Sequence, residues 1–249
     1  MSKPEIVLVP GAAHTPECMA LLMAKLKTFG YSTHCRQMAS VGDPTSNPPE
    51  GLSGDIAVLR SVVEEAIGEG NDVVVVPHSW GGVVAGSALV GYSKKEREAC
   101  GKKGGVIRTG YMASIILPKG VSLMEEGSGT PPPWMEIRDQ YAYCLQPEAF
   151  YNDLPEVEQK YWFSICKPHA VASFQTKTTG AAWKLIPMSY LLCEEDLAIP
   201  LQHQEDMIKA AKEAGAEIDV TRFKCGHSPF LSKVNETADW VRRVAGEKV

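Results

Sequence analysis

Apolar residues in this chain fall into short blocks of two kinds. Residues 6–9, 73–76 and 190–193 are unbroken runs of Val, Ile, Leu, Tyr and Cys that stop at turn signals, the pattern of strands covered on both faces. Residues 32–36, 106–113 and 218–223 read as three further strands. Between these runs the apolar positions recur at helical spacing. Thr15 and Pro16 are placed to cap and open a helix carrying Met19, Leu22, Met23 and Leu26, which stops at Gly30. Residues 52–67, a segment starting near Gly81, residues 201–214 and residues 234–244 give four more helices. Strand and helix alternating in this way predict an α/β fold, a mostly parallel sheet with helices on both faces.

The alternation fails across residues 118–184. This stretch holds "GTPPPW", a helical pattern over 155–166, and a concentration of aromatics that includes Trp134, Tyr141, Phe150, Tyr151 and Trp183. A structureless segment of that length does not fit a compact domain, so it reads as an inserted helical cap on a core made of residues 1–117 and 185–249. Most of its aromatics suit packing on the sheet. Trp134, Trp183 and part of residues 141–150 are expected to shape an apolar pocket.

Composition narrows the partners. With 249 residues, 44% hydrophobic and 22% charged, the chain suits one ordinary globular domain with an insertion. A formal charge of -5 without any Lys/Arg run argues against nucleic acid and for a small, neutral or weakly charged ligand. No apolar run approaches a membrane span and the N-terminus lacks a leader pattern, so a cytoplasmic chain is expected, with no membrane partner. A homodimer is left open. Seven scattered cysteines without a C-x-x-C pair point to reduced thiols, not to disulfides or a zinc site.

Chemistry concentrates at strand ends. The run 73–76 is followed by Pro77-His78-Ser79-Trp80-Gly81, which puts one hydroxyl beyond the carboxyl end of a parallel strand, where ligands of such sheets bind. A serine attacks well only with a base to take its proton and a third group to orient that base. Glu194, Glu195 and Asp196 follow the strand ending at Cys193, and His227 follows the strand ending at Phe223. The order serine, acid, histidine is that of the α/β-hydrolases. Capping of the next helix is the plainer role for Ser79, and a dinucleotide turn is disfavoured because Ser79 occupies a required glycine position. His78 suits packing beneath the turn, and His34 an ordinary strand position. His14 suits ordering its loop, and His169 could meet substrate. His203 lies on a polar helix with Gln202, Gln204, Glu205 and Asp206, in no metal-ligand pattern.

The segments "VPGAAHTPE", "HSWGG", "PPPW", "YNDLP", "DLAIP" and "GHSPFLS" carry a resemblance. Over its whole length the chain is similar to α/β-hydrolases, within them to small, mainly fungal members, and more distantly to plant methylesterases and hydroxynitrile lyases. The resemblance implies Ser79 as nucleophile, Asp196 as the acid by its offset from Ile199-Pro200, and His227 as base. It implies an oxyanion hole from the backbone N–H groups of Trp80 and Ala12, with Ala13 as the other candidate donor. Ala13, His14, Trp134 and Trp183 are the further residues expected near substrate. Two positions depart from the family: Pro77 replaces the first glycine of G-x-S-x-G, and Pro10-Gly11 replaces a His-Gly.

The implied reaction is hydrolysis of a carboxylic ester, thioester or lactone of a small, partly apolar metabolite, through an acyl-enzyme and without metal or organic cofactor. A lyase or cyclase of secondary metabolism using the same triad for acid/base work is the alternative, followed by a ligand receptor. Gly11 and Ser228 stand where the similar hydroxynitrile lyases carry threonine and lysine, which favours the esterase reading.

Overall fold

The run of valines at 73–76 becomes the middle of a sheet, with every one of those residues at 0% exposure. The computed structural model describes residues 3–45, 47–127 and 129–249; of the four that lie outside the described residues, Ser128 falls in the expected insertion and Met1, Ser2 and Ser46 in the expected core. Nine strands form among the described residues: β1 (Glu5–Val9), β2 (Thr33–Cys35), β3 (Asp72–Pro77), β4 (Gly105–Met112), β5 (Met135–Arg138), β6 (Tyr141–Cys144), β7 (His169–Ala170), β8 (Met188–Cys193) and β9 (Ile218–Phe223). Six of them make one sheet in the order β2-β1-β3-β4-β8-β9. Every neighbouring pair in it is parallel, so all six carboxyl ends share one edge.

The helices follow the expected stripes. The helix Ser53–Ile67 packs Leu59, Val62, Val63, Ala66 and Ile67 inward, Val234–Val244 buries Ala238, Trp240, Val241 and Val244, and Gly81–Ala88 is buried at every residue. One start differs in detail. Thr15 holds an extended backbone at the cap position with Pro16 behind it, but its hydroxyl bonds the Glu17 carboxylate and caps nothing, and a 3-10 turn, Pro16–Met19, leads into the helix Ala20–Thr28.

The chain between β4 and β8 is mixed rather than helical. It contains short helices, Leu123–Glu126, Glu148–Tyr151, Glu156–Ser164 and Ala172–Gln175, together with an antiparallel sheet of order β5-β6-β7. Arg138 pairs with Tyr141, so Asp139 and Gln140 close a two-residue hairpin, with Asp139 at φ 54. The sequence signal is the apolar-polar alternation of "MEIR" before that turn, only four residues long and set among aromatics that do not follow it.

Backbone crowding fixes the turn after β3. Ser79 has φ 52, and its carbonyl accepts from Ile115 N–H (3.0 Å), Ser114 Oγ–H (2.7 Å) and Gly82 N–H (3.1 Å). A Cβ on Gly81 would stand 2.9 Å from the Val9 carbonyl oxygen, and one on Gly82 would stand 2.3 Å from that of Ile115. Pro77 fits because it ends β3. His78 N–H turns to β1 (Val9 O, 3.0 Å) and Ser79 N–H to β4 (Met112 O, 3.3 Å), so the sheet forgoes one bond at Pro77 and resumes at once. Gly82→Ala forces backbone apart and is expected to cost about 3 kcal/mol of folding free energy, measured by urea unfolding. A loss below about 0.5 kcal/mol would show that the turn has room to spare.

Candidate active site

The parallel edge brings the predicted residues together. Ala12 follows β1, Ser79 follows β3, Asp196 follows β8 and His227 follows β9, all beyond carboxyl ends. His227 Nδ1–H donates to Asp196 Oδ2 at 2.7 Å, with both side chains at 0% exposure. That bond puts the proton on Nδ1 and leaves Nε2 bare, and Nε2 is buried without a hydrogen-bond partner among the described residues. His78 ties the ring to the serine turn, since its Nε2–H donates to the His227 carbonyl (2.9 Å) and the two rings lie 4.6 Å apart. Phe150 stacks on His227 with ring centroids 5.7 Å apart.

Asp196 is held by a turn of its own. Its Oδ1 accepts from the N–H groups of Ala198 and Ile199, both at 2.8 Å. Gln204, which the sequence placed on a polar helix, is fully buried instead. Its amide spans Cys193 and Ile199, donating to their carbonyls at 3.0 and 2.8 Å and accepting from Cys193 N–H at 3.1 Å. The signal was its helical phase with Met207, Ile208 and Ala211 on the inward face of Leu201–Glu213. Among Glu194, Glu195 and Asp196, only Asp196 turns its carboxylate inward; Arg222 and Lys224 pair with the other two at the surface.

The "YNDLP" segment grips the loops after β1, β8 and β9 at once. Tyr151 O–H donates to His14 Nε2 (2.8 Å), Asn152 Nδ2–H to the Glu195 carbonyl (2.8 Å), and Asp153 Oδ2 accepts Gly226 N–H (2.8 Å). His14 in turn donates from Nδ1 to the Ala12 carbonyl at 2.7 Å. Sequence reasoning missed Asn152 and Asp153 because their partners are backbone groups of distant loops.

These loops carry the signature of a known family. The model of the alpha/beta hydrolase family matches residues 6–242. The chain is an α/β-hydrolase. It is similar to the alpha/beta hydrolase nvfD of Aspergillus novofumigatus, 31% identical over 256 residues that take in 100% of this chain and 99% of that protein. A pyrethroid hydrolase from Sphingobium faniae superposes with TM-score 0.75 at 17% identity, covering 98% of each chain. A methylesterase from Arabidopsis does so with TM-score 0.72 at 18% identity, covering 98% of this chain and 99% of that one. These two are likenesses of fold.

In this hydrolase a cavity of about 330 Å³ opens over Ser79. Ala12 and Trp80 line it, and among the described residues their N–H groups donate to no protein acceptor. Ala13 does not share that freedom. Its N–H is taken by His169 Nδ1 at 3.2 Å, so of the two amides only that of Ala12 has no protein acceptor among the described residues. Trp134 lines the cavity with Ile115, Leu123, Met124 and Phe174. Trp183 does not: its indole N–H donates to the Leu117 carbonyl (2.9 Å) and its ring packs in the core beside Gly86. His14 and Ala13 do not line the cavity either, and both are buried. Glu126 and His203 supply the one ion pair on the wall among the described residues, at 3.3 Å, and the Glu126 hydrogen bond raises His203 above its ordinary value. Among the described residues no His, Cys, Asp and Glu cluster could hold a metal, and no helix is long and apolar enough to cross a membrane.

Burial sets the electrostatics around His227. It pushes His14 down to about 4 and His169 to about 3, and with His227 and His14 nearby it holds His78 well below the imidazole range. Burial pushes Asp55, whose Oδ1 accepts from Ser40, up to about 6. The three rings are neutral in the fold and titrate near 6.5 once unfolded, so the unfolded chain binds more protons and stability falls as pH drops below about 6.5. His14 alone accounts for about 3 kcal/mol by the time pH reaches its folded value. Asp55 acts in the opposite sense, gaining on acidification through 6, and offsets only one of the three. Urea unfolding is expected to give a lower free energy at about pH 5 than at about pH 7, with a smaller difference in His14→Gln. An equal or higher value at the lower pH would mean that the buried rings carry charge.

Proposed function

We propose that this chain is a serine hydrolase that cleaves a carboxylic ester, thioester or lactone of a small, largely apolar molecule by two-step acyl transfer. The observation that carries the reading is the buried His227–Asp196 bond, which leaves a bare Nε2 beside a serine turn held at φ 52. In this mechanism His227 Nε2 takes the Ser79 proton as Oγ attacks the carbonyl carbon, and Asp196 stabilises the imidazolium. The oxyanion that forms accepts from Ala12 N–H and Trp80 N–H. Collapse of the tetrahedral intermediate expels the alcohol, thiol or ring oxygen, protonated by His227. Water, deprotonated by the same nitrogen, then releases the acid and restores Ser79.

The cavity supports a substrate class. Its volume lies at the small end of ligand pockets and its wall is mainly aliphatic and aromatic, which suits a hydrocarbon acyl or alcohol group. The Glu126–His203 pair offers one polar anchor, an acceptor and a donor side by side, suited to a hydroxyl or carbonyl carried by the substrate.

A fluorophosphonate probe is expected to label Ser79, read by mass spectrometry of its peptide, and Ser79→Ala is expected to abolish both the adduct and turnover of short-chain nitrophenyl esters. His227→Ala is expected to lower kcat by at least about 10³-fold. An adduct that survives Ser79→Ala would sink the nucleophile, whereas labelling without turnover of any ester would favour a non-hydrolytic reaction at the same residues.

A further inference from the structure

The loop that carries Ala12 is held from behind by a buried polar chain with no part in the proton transfers above. Ala13 sits at φ 62; its carbonyl accepts from Lys167 N–H (2.8 Å) and its N–H donates to His169 Nδ1 (3.2 Å). His169 lies on β7 in the insertion at 1% exposure. Since Nδ1 accepts, the proton is on Nε2, which lies 2.8 Å from Ser173 Oγ and 3.1 Å from Ser40 Oγ. Both hydroxyls spend their own protons elsewhere, Ser173 on the Ala170 carbonyl (2.9 Å) and Ser40 on Asp55 Oδ1 (3.0 Å). Each therefore presents only lone pairs to His169, and the tautomer follows. Asp55 is at 0% exposure, and its Oδ1 also takes Ser40 N–H at 2.9 Å.

The same ring meets the other oxyanion donor. It stacks on Phe174 at 4.4 Å and stands edge-on to the Trp80 indole at 4.5 Å. One imidazole thus bonds the residue after Ala12 and packs on Trp80. Were Ala13 N–H released, the loop would keep only its carbonyl bonds, from Lys167 N–H to Ala13 and from His14 Nδ1–H to Ala12, and no bond to either amide would fix which of the two turns to the carbonyl oxygen.

We infer that His169 is a positioning residue for the oxyanion hole: its Nδ1 removes Ala13 N–H from competition and fixes Ala12 N–H toward Ser79, while Ser40, Ser173 and Asp55 set the tautomer that lets Nδ1 accept. The role rests on the acyl-transfer reading. Burial, which keeps His169 neutral, works in the same direction.

Two variants separate this role from plain packing. His169→Phe keeps a ring between Phe174 and Trp80 but has no acceptor; His169→Asn loses the ring but returns an acceptor near the Nδ1 position. With a short-chain nitrophenyl ester, His169→Phe is expected to lose about 10 to 10² in kcat with KM within about threefold, since the loss falls on transition-state charge. Phosphonylation of Ser79 is expected to slow in parallel. His169→Asn is expected to recover most of kcat even where its melting temperature is the lower of the two. A His169→Phe enzyme with kcat within about twofold of the unsubstituted chain, or a His169→Asn enzyme that loses as much as His169→Phe, overturns the role. Should His169→Phe fail to fold, the Ser40→Ala/Ser173→Ala pair decides: it removes the lone pairs that fix the tautomer, and an unchanged kcat overturns the inference. An unsubstituted chain that neither turns over esters nor labels at Ser79 defeats the acyl-transfer reading and this role together; an active one with an unimpaired His169→Phe defeats the role alone.

Discussion

Three stretches of main chain meet at the turn after β3 more closely than side chains permit. The carbonyl oxygens of Val9, Pro10 and Ile115 lie where Cβ atoms on Gly81 and Gly82 would stand, and the Ser79 carbonyl is held by three donors at φ 52. A residue kept in that conformation persists only when its surroundings over-determine it. The central helix must therefore leave the sheet at one angle. Ser79, Trp80 and the loop of Ala12 inherit their relative placement from backbone geometry, before any side chain contributes.

Around that turn the fold keeps its imidazoles out of water and ties each of them down by at least one bond. His14, His78, His169 and His227 are all buried, and each ring has at least one nitrogen committed to a specific partner. Buried imidazoles with fixed tautomers make a rigid environment whose dipoles need not reorganise when charge appears on a substrate. The exposed ion pairs of the surface, such as Lys160–Glu156 and Arg222–Glu194, contribute little by comparison.

Much of this was readable in the chain because it depends on local pattern. Six sheet strands, the breaks at Ser79, Asp196 and His227, and their order follow from apolar period and from turn residues at strand ends. What escaped was tertiary. Gln204 looked like one polar residue among several, yet it faces the core; Asn152, Asp153 and His169 act on backbone groups more than forty positions away. Trp183 was expected over the pocket and lies in the core, since aromatic identity does not say which side of a wall a ring occupies. The β5-β6 hairpin was masked for the same reason, its alternation being short and rich in aromatics.

The grip of Tyr151, Asn152 and Asp153 on the loops after β1, β8 and β9 bears on how such a chain can change over generations. A substitution in 151–153 reaches the loops of Ala12, Asp196 and His227 directly, so that stretch is expected to tolerate little drift. Leu123, Met124, Thr130, Pro131, Trp134 and Met135 line the cavity instead. Substitutions at those wall positions leave the three held loops untouched, so the two stretches are expected to tolerate change to different degrees.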